Sequence, residues 1–249
     1  MRLKVIQLNM WHGVFLDRVI DFIKKENPDV VLLQEVTLGG GDQKELGRGD
    51  CYERLSESLE MESVFGPQWS CIGKVKYLKG QAIFTKRQIK WFGGYYYHGY
   101  LSIVKQIEAG VKPVGLMLSA GIEVDGRIID FVNIHYLWSL HPEINKAQLA
   151  AVEELNNALS GKTELIVTGD FNVTDDSAVY NRLIEGGLID DRPEMTANTL
   201  HPSIHKIKGS KKLAVDYIFH KGEKIRLKES RIPEVAISDH LPIVAIYEV

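Results

Sequence analysis

Leu3-Lys4-Val5-Ile6-Gln7-Leu8-Asn9, the helical-period segment 15–23, and Asp29-Val30-Val31-Leu32-Leu33-Gln34-Glu35 together decide the fold. The first segment reads as a strand over 3–8. Phe15, Leu16, Val19, Ile20 and Ile23 then recur at helical spacing, which predicts an amphipathic helix. Asn27-Pro28 ends it, because the residue before a proline avoids the α region. Residues 29–34 are a short, nearly continuous apolar run, the pattern of a strand buried on both faces. Strand, helix and strand in succession predict an α/β fold.

Further along, residues 38–50 are rich in glycine and charge and read as a loop, with a short helix at 52–59. Strands are expected at 80–86, 114–124 and 128–134, with Asp125-Gly126 as a hairpin turn. Pro142 stands at a first helical position ahead of Ile144, Ala147, Ala151, Val152, Leu155, Ala158 and Leu159, which share one apolar face, and Gly161 closes that helix. A buried strand at 164–168, a helix at 176–186 and strands at 213–219 and 242–248 complete the reading. There is no repeat, low-complexity tract or linker, so one domain over 1–249 is expected.

The 249 residues are 45% hydrophobic and 25% charged, ordinary for a globular protein with a sizeable core. A formal net charge of -3 is not the signature of a nucleic-acid-binding domain. An enzyme that handles phosphates only transiently is compatible with it, since it needs no more than a local positive site and a metal. Two cysteines, Cys51 and Cys71, are too few for a disulfide scaffold. The chain opens on Met1-Arg2-Leu3-Lys4, which passes directly into a strand rather than a signal core. No run of about 18 apolar residues is present. A cytoplasmic, monomeric enzyme without a membrane span is expected.

Polar residues collect where the apolar strands stop. Asn9 follows the first strand, Glu35 the second, His135 follows Phe131-Val132-Asn133-Ile134, and Gly169-Asp170-Phe171-Asn172 follows Leu165-Ile166-Val167-Thr168. Asp216 lies inside the apolar Ala214–Phe219 run, and Ser238-Asp239-His240 precedes the last strand. Strand ends are where α/β folds place function. Carboxylates, histidines and asparagines without cysteine suit a hard cation such as Mg²⁺, with imidazole as a proton carrier or cationic donor. Taken singly, each reads equally well as a turn or surface residue. Asp216 is the exception, because a buried charge requires a partner.

In this order the residues resemble the endonuclease/exonuclease/phosphatase superfamily, the deoxyribonuclease-I-like fold. The resemblance rests on Leu8-Asn9, Leu32-Leu33-Gln34-Glu35-Val36, Gly80-Gln81-Ala82-Ile83-Phe84-Thr85-Lys86, Val132-Asn133-Ile134-His135 with Gln148 in the next helix, Gly169-Asp170-Phe171-Asn172, Val215-Asp216-Tyr217-Ile218-Phe219 and Ser238-Asp239-His240-Leu241-Pro242. It implies a four-layer α/β sandwich, two mixed β-sheets packed face to face with helices outside. It also implies roles. Glu35 would ligate Mg²⁺ (Mn²⁺ as a substitute), with Asn9 and Asp239 near the metal. Asp170 would orient or deprotonate the attacking water, and Asn172 would hold the phosphoryl group. His240, paired to Asp216, would stabilise the phosphate or relay a proton, and His135 would add a second donor.

The implied activity is Mg²⁺-dependent hydrolysis of a phosphodiester, in nucleic acid or in a small molecule. Hydrolysis of a small or lipid-derived phosphomonoester, or a non-catalytic binding module on the same fold, are the alternatives. His135-Tyr136-Leu137-Trp138 and Trp11 depart from the abasic-site endonuclease pattern, and the glutamate that would pair with His135 is not identifiable. Trp11-His12-Gly13, the glycine-rich loop 39–49 and Trp138 are candidate substrate contacts or else pack the loops; the basic stretch 201–212 is a candidate phosphate clamp or a solvated loop; and Tyr95-Tyr96-Tyr97-His98 reads as a strand with aromatic faces or as a substrate rim.

Overall fold

The structure, a computed structural model, describes residues 1–39, 50–72, 76–97, 115–138, 146–193, 198–205 and 213–249. Its first sheet contains β1 (Arg2–Asn9), β2 (Val30–Leu38), β3 (Glu62–Ile72), β4 (Lys76–Thr85), β11 (Arg226–Arg231) and β12 (Ile243–Glu248), ordered β11-β12-β1-β2-β4-β3. The second contains β5 (Ile89–Tyr97), β6 (Gly115–Val124), β7 (Arg127–His135), β8 (Leu165–Asp170), β9 (Ile189–Asp190) and β10 (Asp216–Lys221), ordered β5-β6-β7-β8-β10-β9. Both are mixed: β1–β2 and β7–β8 run parallel, while β1–β12 and β8–β10 run antiparallel.

Alternation along the strands explains the layering. In β1 and β2, Leu3, Val5, Val30 and Leu32 point inward to meet Leu118, Ala120, Phe131 and Ile166 of the second sheet. Ile6, Leu8, Val31 and Leu33 point outward onto α1 (Leu16–Glu26) and α2 (Cys51–Leu59). The second sheet likewise covers its outer face with α3 (Lys146–Leu159) and α4 (Ala178–Glu185), through Ala151, Val152, Leu155, Val179 and Leu183. Helix, sheet, sheet, helix is the expected four-layer sandwich. Strands apolar on both faces are a consequence, since each must satisfy two layers.

The boundaries shift in several places. β2 runs on to Leu38 rather than ending at 34, because a register shift between Leu33 and Val36 absorbs the polar residues without ending the pairing with β4. β10 begins at Asp216, not 213. β3 and β11 were not expected. β3 contains Gly66 and Pro67 but lies at a sheet edge with a bulge beside Pro67, where proline is tolerated. β11 is the polar run Arg-Leu-Lys-Glu-Ser-Arg at the opposite edge, as suits a strand that must not recruit another. Tyr95 to Tyr97 belong to β5. The expected turn at Asp125-Gly126 is present, with both residues at positive φ. Pro142, His98, most of loop 38–50 and residues 206–212 lie outside the described residues. Among the described residues, no helix is long and apolar enough to cross a membrane.

Candidate active site

The topology brings all the expected site residues to one end of the sandwich. Asn9 ends β1, and His135, Asp170 and Asp216 lie side by side across β7, β8 and β10. The two sheets are joined there by Asn9, whose Nδ2 donates to Asp170 Oδ2 at 3.0 Å.

Asp170 Oδ2 is the centre of the arrangement. Besides Asn9, it has His135 Nε2 at 3.7 Å and His240 Nε2 at 3.8 Å. Its other oxygen accepts the Asn172 N–H at 2.9 Å, and Asn172 Nδ2 donates to the Tyr136 carbonyl at 3.2 Å. Burial raises the pKa of Asp170, opposed by His240. Asp216 is fully buried and has the partner that its burial requires, with His240 Nδ1 at 2.8 Å from Asp216 Oδ2. Burial alone would lower the His240 pKa, but Asp216 and Asp170 outweigh it and push it up to about 10. His240 is therefore an imidazolium at neutral pH. Burial lowers the His135 pKa, so that ring is neutral at the same pH. His135 Nδ1 is buried and has no hydrogen-bond partner among the described residues.

The three residues expected to hold metal approach the same place from separate segments. Ser238 Oγ donates to the Asn9 carbonyl at 2.7 Å and to Asp239 Oδ1 at 3.3 Å. Burial raises the pKa of Asp239, His240 opposes it, and the negative charge of Glu35 adds to the rise. Glu35 sits in β2 beside the bulge with φ 59, a conformation costly to a residue with a Cβ. Burial would raise its pKa, but Lys79, His12 and His135 together bring it down to about 2. Asn9 Oδ1 accepts the Trp11 N–H at 3.1 Å, and an amide oxygen has a second lone pair. Two carboxylates and an amide oxygen form a hard-oxygen donor set that fits Mg²⁺ or Mn²⁺. Ligand atoms of Asp170, Asp216 and His240 also lie within 4.8 Å of one another, as do those of His205, Asp239 and His240. Both groups share His240, whose Nδ1 is already engaged by Asp216 Oδ2 at 2.8 Å.

Behind the site a polar chain crosses between the sheets. Gln7 Nε2 donates to Asp216 Oδ1 and Gln34 Oε1, both at 3.0 Å. Gln34 donates to Asn133 Oδ1 at 2.6 Å, and Asn133 Nδ2 donates to the Leu33 and Ala82 carbonyls. Thr199 Oγ1 accepts the N–H groups of Val215 and Asp216, fixing the start of β10. Sequence reasoning gave no role to Gln7, Thr199 or Lys79, and read His205 only as part of the basic stretch 201–212. Gln7 was detectable, as a polar residue at an inward position of an apolar strand. Lys79 and Thr199 give no local signal. Gln148 is buried, and its Nε2 donates to the Leu137 carbonyl, which ties α3 to the segment after β7.

Among the proposed substrate contacts, Trp138 is exposed, while Tyr97 is buried, with its hydroxyl donating to the His135 carbonyl at 3.3 Å. The Tyr96 hydroxyl donates to the Pro67 carbonyl. The His205 ring meets that of His240 edge-on at 6.0 Å.

The sequence profile described as the Endonuclease/Exonuclease/phosphatase family matches residues 6–240. The structure is similar to an endonuclease/exonuclease/phosphatase from Beutenbergia cavernae at 18% identity and TM-score 0.80, covering 100% of this chain and 72% of that one. One from Bacteroides vulgatus is similar at 20% identity and TM-score 0.76, covering 100% and 99%. A mannosyl-6-phosphatase from Bacteroides thetaiotaomicron is similar at 16% identity and TM-score 0.71, covering 99% and 100%. No curated protein sequence matches the chain. The profile spans nearly the whole chain and includes the strand ends from which the site is built; the chain belongs to the endonuclease/exonuclease/phosphatase family.

Proposed function

We propose that the protein is a metal-dependent phosphoesterase that hydrolyses its substrate by direct in-line attack of water. The observation that carries this reading is the environment of Asp170 Oδ2, with two imidazole nitrogens and one amide nitrogen converging on a single buried carboxylate oxygen. Asp170 orients the attacking water and accepts its proton; its raised pKa suits it to that role. His240, kept cationic by Asp216, faces the phosphoryl oxygens and stabilises the charge that develops on them. His135, neutral, donates from Nε2, and Asn172 holds a phosphoryl oxygen. Glu35, Asp239 and Asn9 would hold Mg²⁺, or Mn²⁺ in its place. When bound, the metal supplies Lewis-acid stabilisation of phosphate charge. Most of the rate enhancement comes from positioning and preorganised charge.

The proposed substrate is a phosphodiester, either short nucleic acid or a small molecule. A formal net charge of -3 favours a short or small substrate over long duplex DNA, whose binding relies on many phosphate contacts. The test is hydrolysis of bis-p-nitrophenyl phosphate, p-nitrophenyl phosphate, DNA, RNA and a phospholipid headgroup ester, with Mg²⁺, Mn²⁺ or chelator. Diester cleavage that requires metal and is lost in His240→Ala supports the reading. A monoester turned over in preference would transfer the same mechanism to a phosphatase. Activity undiminished by chelator would overturn it.

A further inference from the structure

Among the described residues, seven non-glycine positions have positive φ. Asn27 and Glu60 cap the ends of α1 and α2, and Asp125 sits in the β6–β7 hairpin. Glu35 and Asn172 belong to the active site. Trp11 and His12, at φ 46 and 54, continue into Gly13 at φ 76 and make three left-handed residues in succession. Such backbone is costly wherever there is a Cβ and persists only where its surroundings enforce it.

The surroundings here do enforce it. The Trp11 N–H is held by Asn9 Oδ1, the Gly13 N–H by the Met10 carbonyl at 2.9 Å, and the Val14 N–H by the Trp11 carbonyl at 3.1 Å. Cys51 Sγ donates to the His12 carbonyl at 3.5 Å, and a Cβ on Gly13 would collide with that sulfur. The turn aims His12 Nε2 at Glu35 Oε2, 3.1 Å away. From the other side, Lys79 of β4 places Nζ 3.0 Å from Glu35 Oε1 and 3.4 Å from His12 Nε2. All three side chains are largely buried. Both carboxylate oxygens of the leading metal candidate are therefore engaged by donors from two unrelated segments, and neither donor has a part in the water-attack chemistry.

We propose that His12 and Lys79 are positioning residues acting through Glu35, and that Lys79 is a resident cation with which a divalent metal must compete for that carboxylate. His12 fixes the direction in which the carboxylate points. Lys79 also orients it but places a full positive charge 3.0 Å from a carboxylate oxygen that a cation would use. At such range in a low-dielectric site, repulsion between an ammonium and a dication exceeds what orienting one ligand contributes. Lys79 also keeps Glu35 neutralised when no metal is bound, so the cluster of Glu35, Asp170, Asp216 and Asp239 is stable without one.

The inference rests on the metal-dependent reading above. It is tested by calorimetric titration of Mn²⁺ into the full chain, comparing the parent with Lys79→Met, Lys79→Arg, His12→Asn and Glu35→Gln. Thermal unfolding in chelator checks that each variant is folded. Met keeps the stem without the charge, and Asn tolerates left-handed backbone. Lys79→Met is expected to bind Mn²⁺ more tightly, by about tenfold or more. Lys79→Arg should retain the parent's affinity, and His12→Asn should bind more weakly, by about tenfold. Unchanged or weaker binding by a folded Lys79→Met would overturn the role of Lys79 and leave the metal reading intact. A parent that binds no Mn²⁺, or a Glu35→Gln that binds as well as the parent, would overturn both.

Discussion

His240 Nδ1 lies 2.8 Å from Asp216 Oδ2, and its other nitrogen lies 3.8 Å from Asp170 Oδ2, so one imidazole is held between two carboxylates. This arrangement keeps the ring charged at neutral pH and makes the Asp216–His240 pair the electrostatic core of the site. Removing the ring in His240→Ala is expected to lower kcat by on the order of 10²–10³, the usual effect of losing one preorganised donor to a developing charge. Asp216→Asn should lose a comparable factor with KM little changed. Steady-state kinetics on the best substrate of the panel checks both.

The same pair sets an alkaline limit. Against burial, Asp216 and Asp170 hold the folded-state pKa of His240 at about 10, above the ordinary 6.5 of a histidine. A raised pKa contributes stability that is fully present below the unfolded value and is lost as pH rises through the folded one. Urea unfolding of the parent in chelator should therefore lose stability relative to His240→Gln between about pH 6.5 and 10. A constant difference between the two proteins across that window would contradict the assignment.

Gln7 is the donor that fixes the other oxygen of Asp216. Gln7→Leu leaves Asp216 Oδ1 and Gln34 Oε1 without that donor in a fully buried setting. It should destabilise the protein by about 1–3 kcal/mol, the cost of a stranded buried acceptor. Chemical denaturation with unchanged m-value tests this, and a neutral result would show that the polar chain is dispensable.

The candidate site was legible in the sequence because residue chemistry and topology coincide there. Asn9, His135 and Asp170 stand where apolar runs stop, and Asp216 breaks an apolar run that could not otherwise tolerate it. β3 and β11 were not legible, because edge strands need no apolar alternation and accept proline, glycine and charge. Lys79 was illegible for a different reason. It lies next to Gly80 in β4, and only the pairing of β4 with β2 brings it to Glu35. Contacts of this kind are made by register, and no local pattern announces them.

Register also predicts an intolerant position. β7 and β8 approach so closely at Gly169 that a Cβ there would meet the Ile134 carbonyl. Backbone on one side and the buried Asp170 on the other leave no flexible side chain to yield. Gly169→Ala should cost about 1–3 kcal/mol through overpacking and should lower kcat by displacing Asp170. Thermal unfolding together with kinetics separates the two effects, and a variant with full activity would show that the strands can part without moving the carboxylate.

Glu35 gives the opposite pH signature to His240. Its folded pKa of about 2 lies below the ordinary 4.5 of a glutamate, so its contribution is present above pH 4.5 and is lost as pH falls towards 2. Burial raises the pKa of Asp170 and Asp239, which act in the reverse sense over the acid range, so the parent's acid limb alone cannot isolate Glu35. A comparison with Glu35→Gln can, because both proteins share the other carboxylates. In chelator, the stability advantage of the parent over Glu35→Gln should shrink by about 2 kcal/mol between pH 5 and pH 3. Repeating the comparison in a Lys79→Met background should abolish most of that change, since Lys79 is the strongest of the charges holding the Glu35 carboxyl down. If the change persisted in full without Lys79, His12 and His135 would have to be the groups that keep Glu35 ionised.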